Sequence, residues 1–290
     1  MYMGNPEPQS SAEPTAQSPT PLPTPATEEG RAGLAALLHR PERALIALDF
    51  DGTLAPIVLD PEHARAHPDA VPALAAVATR VAAVAIITGR PARAAVRLGG
   101  FAGHPELAGL VVLGAYGAER WDAATGRLVT PPPHAGVAAA REELPELVAP
   151  TGAVIEDKGN ALAVHTRRAP HPQEAFRELR EPLARLAAAH GLTLEPGRLV
   201  LELRPPGMDK GTALTALVRE KNAACVLYGG DDLGDLAAFE AVARLRESGV
   251  AGLRLCSGST EVPELASATD LRVEGPAGVA AFLTALAARL

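Results

Sequence analysis

Residues 44–54 read Ala-Leu-Ile-Ala-Leu-Asp-Phe-Asp-Gly-Thr-Leu, and this stretch decides the fold. Its five leading apolar residues run directly into Asp49 and Asp51, which a Gly-Thr turn follows. A run that is apolar on both faces predicts a buried strand in a parallel sheet covered on both sides. Ligands of such sheets bind outside the carboxyl ends of the strands, so both aspartates are predicted at a ligand site. Taken alone, the pair is better explained as a solvated turn, and the rest of the chain has to supply the other parts of a site.

The composition of the 290-residue chain disfavours several classes of protein. The net charge of −7 and the lack of a basic block argue against a nucleic-acid partner. No apolar run approaches the roughly 20 residues of a membrane span, and the N-terminus lacks the pattern of a signal peptide. Cys225 and Cys256 both lie in apolar runs, which indicates reduced core thiols. We therefore expect a cytoplasmic protein that does not bind membranes.

The first 30 residues are rich in Pro, Ser, Thr, Gln and Glu, and prolines alternate with other residues from Pro19 to Pro25. Such a segment buries too little apolar surface to offset its ordering entropy. We predict a disordered tail over residues 1–30, followed by a short helix from Ala32 to His39.

Buried-strand patterns and helical patterns alternate through two parts of the chain, which predicts an α/β fold with a doubly wound parallel sheet. The predicted strands and helices of this core fall at 44–48, 69–80, 81–87, 92–98, 110–113, 211–220, 224–228, 233–246, 252–256, 271–273 and 278–290. Residues 31–117 and 206–290 are therefore predicted to form one catalytic core.

Between these parts the pattern changes to hairpins separated by helices, which predicts an inserted α+β cap over residues 118–205. Its predicted elements are a hairpin at 119–129, helices at 137–148 and 174–190, and strands at 153–156, 161–167, 192–194 and 199–203.

Three further junctions of the core carry polar residues that could complete a site. Thr88 follows the second strand, although threonine also commonly caps helices. Lys210 precedes a helix, where a cation opposes the helix dipole unless an anion binds there; a solvated surface lysine is the alternative. Residues 229–235 hold three aspartates, which suit Mg²⁺, whereas acids at a helix start would explain one or two of them. Together with Asp49 and Asp51, these groups are the equipment of phosphoryl transfer.

The motifs resemble those of haloacid dehalogenase superfamily phosphatases and, more narrowly, of the trehalose-6-phosphate phosphatase family. The matching segments are DFDGTLAPIV (49–58), ITGR (87–90), GAYGAE (114–119), IEDKGNALAVHTR (155–167), LELRPPGMDKG (201–211) and YGGDDLGDLAAF (228–239). The chain departs from the family's usual pattern at Ala115-Tyr116, and at Gly234 and Leu236 where the family has threonine and glutamate.

The resemblance implies a role for each matched residue. Asp49 would be the nucleophile that forms an aspartyl-phosphate, Asp51 the general acid and base, and Thr88 and Lys210 the phosphate holders. Mg²⁺ would be bound by Asp49, the Asp51 carbonyl, Asp231 and Asp232, with Asp235 in support. The residues implied in substrate binding are Gly89, Arg90, Glu156, Lys158 and Glu202.

The activity implied by the resemblance is hydrolysis of trehalose 6-phosphate in trehalose biosynthesis, with that sugar phosphate as the small-molecule partner. A phosphatase for another sugar phosphate, of the sucrose or mannosylglycerate type, is one alternative. A catalytically silent sugar-phosphate sensor is another. A dehalogenase is disfavoured because Asp51 has no task in that chemistry. The oligomeric state does not follow from the sequence.

Overall fold

The computed structural model describes residues 21–132, 134–197, 199–258, 265 and 267–290. Within these ranges the chain forms a large mixed sheet layered between helices and a smaller antiparallel sheet covered by two helices. No helix in the described part of the chain is both long enough and apolar enough to cross a membrane.

The prediction of disorder is wrong for residues 21–30. Residues 1–20 lie outside the described residues, but residues 21–30 are part of the fold. Helix α1 (Glu28–His39) begins four residues before the predicted Ala32, because the Thr27 side chain caps it by accepting a hydrogen bond from the Gly30 N–H. The Ala26 N–H also donates to the Asp270 carbonyl (2.7 Å), which ties this segment to the sheet.

The large sheet has eight strands, in the order β12-β11-β10-β1-β2-β3-β4-β5, and confirms the α/β fold class. Strands β12 to β3 in this order pair in parallel, and the β4–β5 hairpin adds an antiparallel edge. The bounds are β1 Ala44–Leu48, β2 Ala83–Ile87, β3 Val111–Gly114, β4 Glu119–Asp122, β5 Arg127–Val129, β10 Cys225–Gly230, β11 Ala251–Cys256 and β12 Leu271–Arg272.

Strand β1 is apolar throughout because both of its faces are covered. Ile46 and Leu48 pack into a core with α1 and three further helices, whereas Leu45 and Ala47 pack into a second core on the opposite face. The first face is covered by α1, α2 (Ala70–Ala78), α3 (Ala92–Gly99) and the last helix α8 (Gly275–Ala287). The opposite face is covered by α6 (Lys210–Glu220) and α7 (Leu236–Glu247). This arrangement points the carboxyl ends of β1, β2 and β10 in one direction.

The β4–β5 hairpin differs from the expected start of the cap at residue 118. Residues 119–122 pair with β3, so the hairpin extends the large sheet and does not join the inserted module. The unpaired edge of β3 explains this difference, since its free N–H and C=O groups gain partners from β4. Sequence pattern alone does not distinguish a hairpin at the edge of one sheet from a hairpin in another.

The inserted segment forms a second sheet, in the order β6-β7-β9-β8, with antiparallel pairs throughout. Its strands are β6 Val154–Asp157, β7 Leu162–His165, β8 Thr193–Gly197 and β9 Val200–Arg204. Helices α4 (Ala135–Val148) and α5 (Pro172–Ala189) pack on one face of this sheet and form a separate apolar core with it. The other face supplies polar side chains to the site described next.

Candidate active site

The predicted nucleophile and the predicted phosphate lysine form a buried ion pair. Asp49 follows β1 directly, Lys210 is the first residue of α6, and each of the two residues is 4% exposed. The Lys210 Nζ lies 3.0 Å from Asp49 Oδ1 and 2.8 Å from Asp235 Oδ1. These contacts contradict the solvated-lysine alternative. The lysine is placed to meet an anion at the end of β1.

Asp235 holds this lysine and also orders the loop after β10. Its Oδ1 accepts hydrogen bonds from Lys210 and from the Tyr228 hydroxyl (2.6 Å). Its Oδ2 accepts from the backbone N–H groups of Asp231 (2.9 Å) and Asp232 (3.2 Å). One buried carboxylate therefore fixes both the lysine and the acidic loop.

Three carboxylates gather in a cluster that could hold a cation. Asp49, Asp231 and Asp235 each offer an oxygen, and these three oxygens lie within 4.8 Å of one another. Burial raises the pKa of Asp231 to about 10, with repulsion from Asp49 and Asp235 adding to the effect. Burial likewise raises the pKa of Asp49, against the opposing influence of Lys210. A cluster of acids with a single buried lysine is short of positive charge, and a hard divalent cation on carboxylate oxygens would supply it.

The structure differs from the predicted metal set at Asp232. Its carboxylate accepts a hydrogen bond from the Gly234 N–H (2.9 Å) and caps the turn before α7, so it is not in the three-carboxylate cluster. The Asp235 carboxylate lies in the cluster, but all of its described bonds are to protein donors. Asp49 and Asp231 are thus the carboxylates best placed as ligands. The close approach of Asp231 depends on Gly52 (φ +70°), since a Cβ there would lie 2.0 Å from Asp231 Oδ2.

Asp51, the predicted general acid and base, forms an ion pair with Arg90. The guanidinium donates from Nε to Oδ2 (2.6 Å) and from Nη2 to Oδ1 (2.7 Å), and its Nη1 donates to the Pro61 carbonyl (2.9 Å). Although burial opposes its charge, the hydrogen bonds to Asp51 raise the pKa of Arg90. Bidentate pairs of this kind hold both partners in a fixed orientation.

Thr88 is buried at the end of β2, beside the aspartates. Its hydroxyl accepts a hydrogen bond from the Arg90 N–H (3.2 Å), whereas the first N–H of α3, at Ala92, donates to Glu119 (2.6 Å). The helix-cap alternative for Thr88 is therefore not what the structure shows. The ring of Tyr116 packs against Gly89, and a Cβ added at Gly89 would lie 2.8 Å from that ring.

A second polar group lies on the small sheet and faces the large one. Glu202 on β9 is buried, and its Oε2 accepts from Lys158 Nζ (3.0 Å) and from the Tyr116 hydroxyl (2.9 Å). The guanidinium of Arg204 lies over the Tyr116 ring, 4.3 Å from its centroid. Lys158 and Glu202, which the resemblance assigned to the sugar, are thus brought together.

Glu156 is also on this side and completes the predicted set. It accepts from His165 at 2.7 Å, and this hydrogen bond lowers the pKa of Glu156, with the charges of Lys158 and Arg90 acting in the same direction. The charge of Arg90 thus acts on Glu156, which lies on β6 of the small sheet. The contact that joins the two regions is the hydrogen bond from Tyr116, after β3 of the large sheet, to Glu202 on β9.

Three residues of this site were not in the predicted set. Tyr228 and Arg204 lie in the matched segments 228–239 and 201–211, but no role was predicted for either, because a tyrosine in a buried strand and an arginine at the end of a strand are ordinary. Tyr116 had a signal, since it departs from the usual family residue beside a glycine turn.

Comparisons with known proteins identify the family of this chain. The trehalose-phosphatase family model matches residues 47–274. An uncharacterized glycosyl hydrolase of Mycobacterium tuberculosis is 34% identical over 268 residues, which cover 86% of this chain and 18% of that protein. A trehalose-phosphate phosphatase of M. tuberculosis is 32% identical over 262 residues, covering 84% of this chain and 61% of that protein. The chain thus spans less than two thirds of the length of both curated relatives.

The fold is also similar to that of a solved structure, the trehalose-6-phosphate phosphatase C-terminal domain of C. albicans. The TM-score is 0.72 at 21% identity, and the match covers 93% of this chain and 99% of that one. At this identity the likeness concerns the fold alone.

Proposed function

This chain belongs to the trehalose-phosphatase family, and on that premise we propose that it hydrolyses trehalose 6-phosphate to trehalose and inorganic phosphate. The observation that carries the proposal is the buried Lys210–Asp49 ion pair at the carboxyl end of β1. This pair supports Asp49 as the nucleophile and Lys210 as a fixed positive charge at the position where a phosphate would bind.

In the proposed reaction an Asp49 oxygen attacks phosphorus, and the bond between phosphorus and the sugar oxygen breaks. Asp51 gives its proton to the departing sugar oxygen, and an aspartyl-phosphate remains on Asp49. Asp51 then takes a proton from the water that attacks this intermediate, which releases phosphate and restores Asp49. Lys210 and the Thr88 hydroxyl hold phosphate oxygens and stabilise the charge that develops on them.

We assign Arg90 to the phosphate as well. In the described arrangement it forms a bidentate pair with Asp51, so Asp51 cannot deliver a proton until that pair opens. A phosphate dianion is the natural competitor for the guanidinium fork. Arrival of substrate would draw Arg90 to the phosphate and free Asp51.

We further propose that the enzyme depends on Mg²⁺. Asp49, Asp231 and the Asp51 carbonyl would hold the ion, and the acidic cluster supports this choice of oxygen ligands. When bound, the ion supplies neutralisation of phosphate charge and of the aspartate repulsion.

We assign the distal sugar to the module of residues 134–205, which contains the small sheet. We propose that this module acts as a cap. Glu156, Lys158 and Glu202 offer both charged acceptors and a donor, and sugar hydroxyls need fixed partners of both kinds. The hydrogen bond from Tyr116, after β3 of the large sheet, to Glu202 on the small sheet supports a shared space for phosphate and sugar.

The substrate is tested by phosphate release from a panel of trehalose 6-phosphate, sucrose 6-phosphate, mannosylglycerate phosphate, glucose 6-phosphate and an aryl phosphate. We expect the highest kcat/KM with trehalose 6-phosphate, and loss of turnover in EDTA that Mg²⁺ restores. Preference for another sugar phosphate would remove the trehalose assignment and leave the phosphatase. Calorimetric binding of trehalose 6-phosphate without any phosphate release would instead indicate a sensor.

Asp49→Asn is expected to abolish turnover and leave the fold intact, because an amide cannot attack phosphorus. The matched control is Asp69→Asn, an exposed aspartate before α2, which should retain the activity. Circular dichroism and phosphate release measure the two effects. Substantial turnover in Asp49→Asn would exclude Asp49 as the nucleophile.

A further inference from the structure

We propose that Tyr116 is a positioning residue for substrate recognition: it holds Glu202 so that the free oxygen of that carboxylate accepts a hydroxyl of the distal sugar. The inference rests on the proposed function, because it assigns a role within recognition of a disaccharide phosphate.

The Tyr116 side chain is fixed from several sides. Its hydroxyl donates to Glu202 Oε2 (2.9 Å), its ring packs under the Arg204 guanidinium, and Gly89 leaves room for the ring. Burial and the neighbouring Glu202 raise the pKa of Tyr116, so the hydroxyl stays protonated and donates at neutral pH. The tyrosine therefore orients the Glu202 carboxylate.

The backbone at Tyr116 joins this contact to the phosphate loop. Ala115 and Tyr116 have φ angles of 47° and 57°, a left-handed backbone conformation that residues other than glycine rarely adopt. The turn is held there because the Ala115 N–H donates to the Arg90 carbonyl (2.8 Å) and the Tyr116 N–H to the Thr88 carbonyl (2.9 Å). Tyr116 thus sets the spacing between the loop that would hold the phosphate and the strand that carries Glu202.

Glu202 has one oxygen that lacks a donor among the described residues. Its Oε2 accepts from both Tyr116 and Lys158, but Oε1 is buried and has no hydrogen-bond partner in the described part of the chain. An unpaired buried carboxylate oxygen is costly, and a donor brought by a ligand would satisfy it. A neutral hydroxyl of a sugar ring has the right chemistry, since Lys158 already balances the carboxylate charge.

The first test compares Tyr116→Phe with wild-type enzyme on trehalose 6-phosphate and on an aryl phosphate, which has no second sugar. Loss of a hydrogen bond to a charged group corresponds to roughly a 10- to 100-fold effect. We expect kcat/KM for trehalose 6-phosphate to fall by at least about tenfold more than for the aryl phosphate, mainly through KM. Arg185→Gln, an exposed change on α5 of the same module, is the control and should alter neither substrate.

A double-mutant cycle with Glu202→Gln tests whether Tyr116 acts through that carboxylate. If it does, Tyr116→Phe should add little to the loss already caused by Glu202→Gln. If the losses in kcat/KM of the two single variants multiply in the double variant, the residues act independently and the proposal is overturned. It is also overturned if Tyr116→Phe lowers kcat/KM equally for both substrates or not at all. Should Tyr116→Phe fail to fold by circular dichroism, Tyr116→Leu, which also lacks a donor, takes its place in the same cycle with the same criteria. Preference of wild-type enzyme for a substrate other than trehalose 6-phosphate would count against the proposed function instead, so the two failures are distinguishable.

Discussion

Replacing Asp235 with asparagine removes one charge from the centre of the site and keeps the shape of the side chain. The carboxylate is fully buried and accepts four hydrogen bonds, from Lys210 and Tyr228 on one oxygen and from the N–H groups of Asp231 and Asp232 on the other. An asparagine has one oxygen and one NH₂ group. Whichever way its amide turns, the NH₂ group faces two donors, and two of the four hydrogen bonds are lost.

The size of the effect follows from these contacts. Two lost hydrogen bonds to a charged group correspond to about 3–6 kcal/mol, and breaking a buried ion pair corresponds to about 3–5 kcal/mol. The removed charge also relieves repulsion on Asp49 and Asp231, so the lower end applies. We expect the free energy of unfolding to fall by about 3 kcal/mol, which is about 6–12 °C in Tm for a chain of this size. Lys210 also loses one of its two carboxylate partners and is held less firmly, so kcat should fall by about 100-fold or more.

The assay is thermal unfolding in EDTA, which removes any stabilisation by bound metal, with aryl phosphate turnover measured separately in Mg²⁺. The control is Asp209→Asn, the same chemical change at the N-cap of α6, where asparagine caps as well as aspartate. Its Tm should stay within about 2 °C of wild type. A Tm for Asp235→Asn equal to that of the control would refute the view that this carboxylate organises the site.

Two further predictions concern the loop after β1 and the anchor of the N-terminal segment. Gly52→Ala should displace Asp231, so the Mg²⁺ concentration for half-maximal phosphate release should rise at least about tenfold. The control is Gly126→Ala, a glycine at φ +64° with open space around it, which should leave that concentration unchanged. Burial opposes ionisation of Asp270, but hydrogen bonds from Arg254, Thr27 and Arg246 hold its pKa at about 2, below the ordinary 3.8. Its contribution of about 2 kcal/mol is therefore present above pH 4 and lost as pH falls towards 2. In thermal unfolding, the stability gap between wild type and Asp270→Asn should narrow over that interval, and a constant gap would contradict the assignment.

The catalytic half of the fold could be predicted because its signals are local. The apolar run of β1 is buried on both faces, and a polar residue that ends such a strand lies at the same sheet edge as its counterparts. The meeting of Asp49, Thr88, Lys210 and Asp231 follows from that rule and from the helix that starts at Lys210.

What could not be predicted depends on contacts between distant parts of the chain. The β4–β5 hairpin joins the large sheet because β3 offers a free edge. Thr27 belongs to the fold because its hydroxyl donates a hydrogen bond to Asp270, 243 positions away in the sequence. The exchange of Asp232 for Asp235 in the acidic cluster depends on side-chain orientations that spacing does not encode. Tyr116 lies near Glu202 only once the small sheet folds over the large one.

The position of the β4–β5 hairpin has a consequence for how this chain could be recombined with its relatives. Because the hairpin stays with the large sheet, the polypeptide leaves that sheet after Val129 and rejoins the core at α6, before β10. The residues proposed for the reaction and most of those proposed for the sugar are therefore encoded in separable stretches of the gene. Exchange of the stretch for residues 134–205 with that of a relative would transplant Glu156, Lys158 and Glu202 together and leave the phosphate site untouched. Tyr116 is the side chain of the recipient that such a chimera would have to match to its new cap.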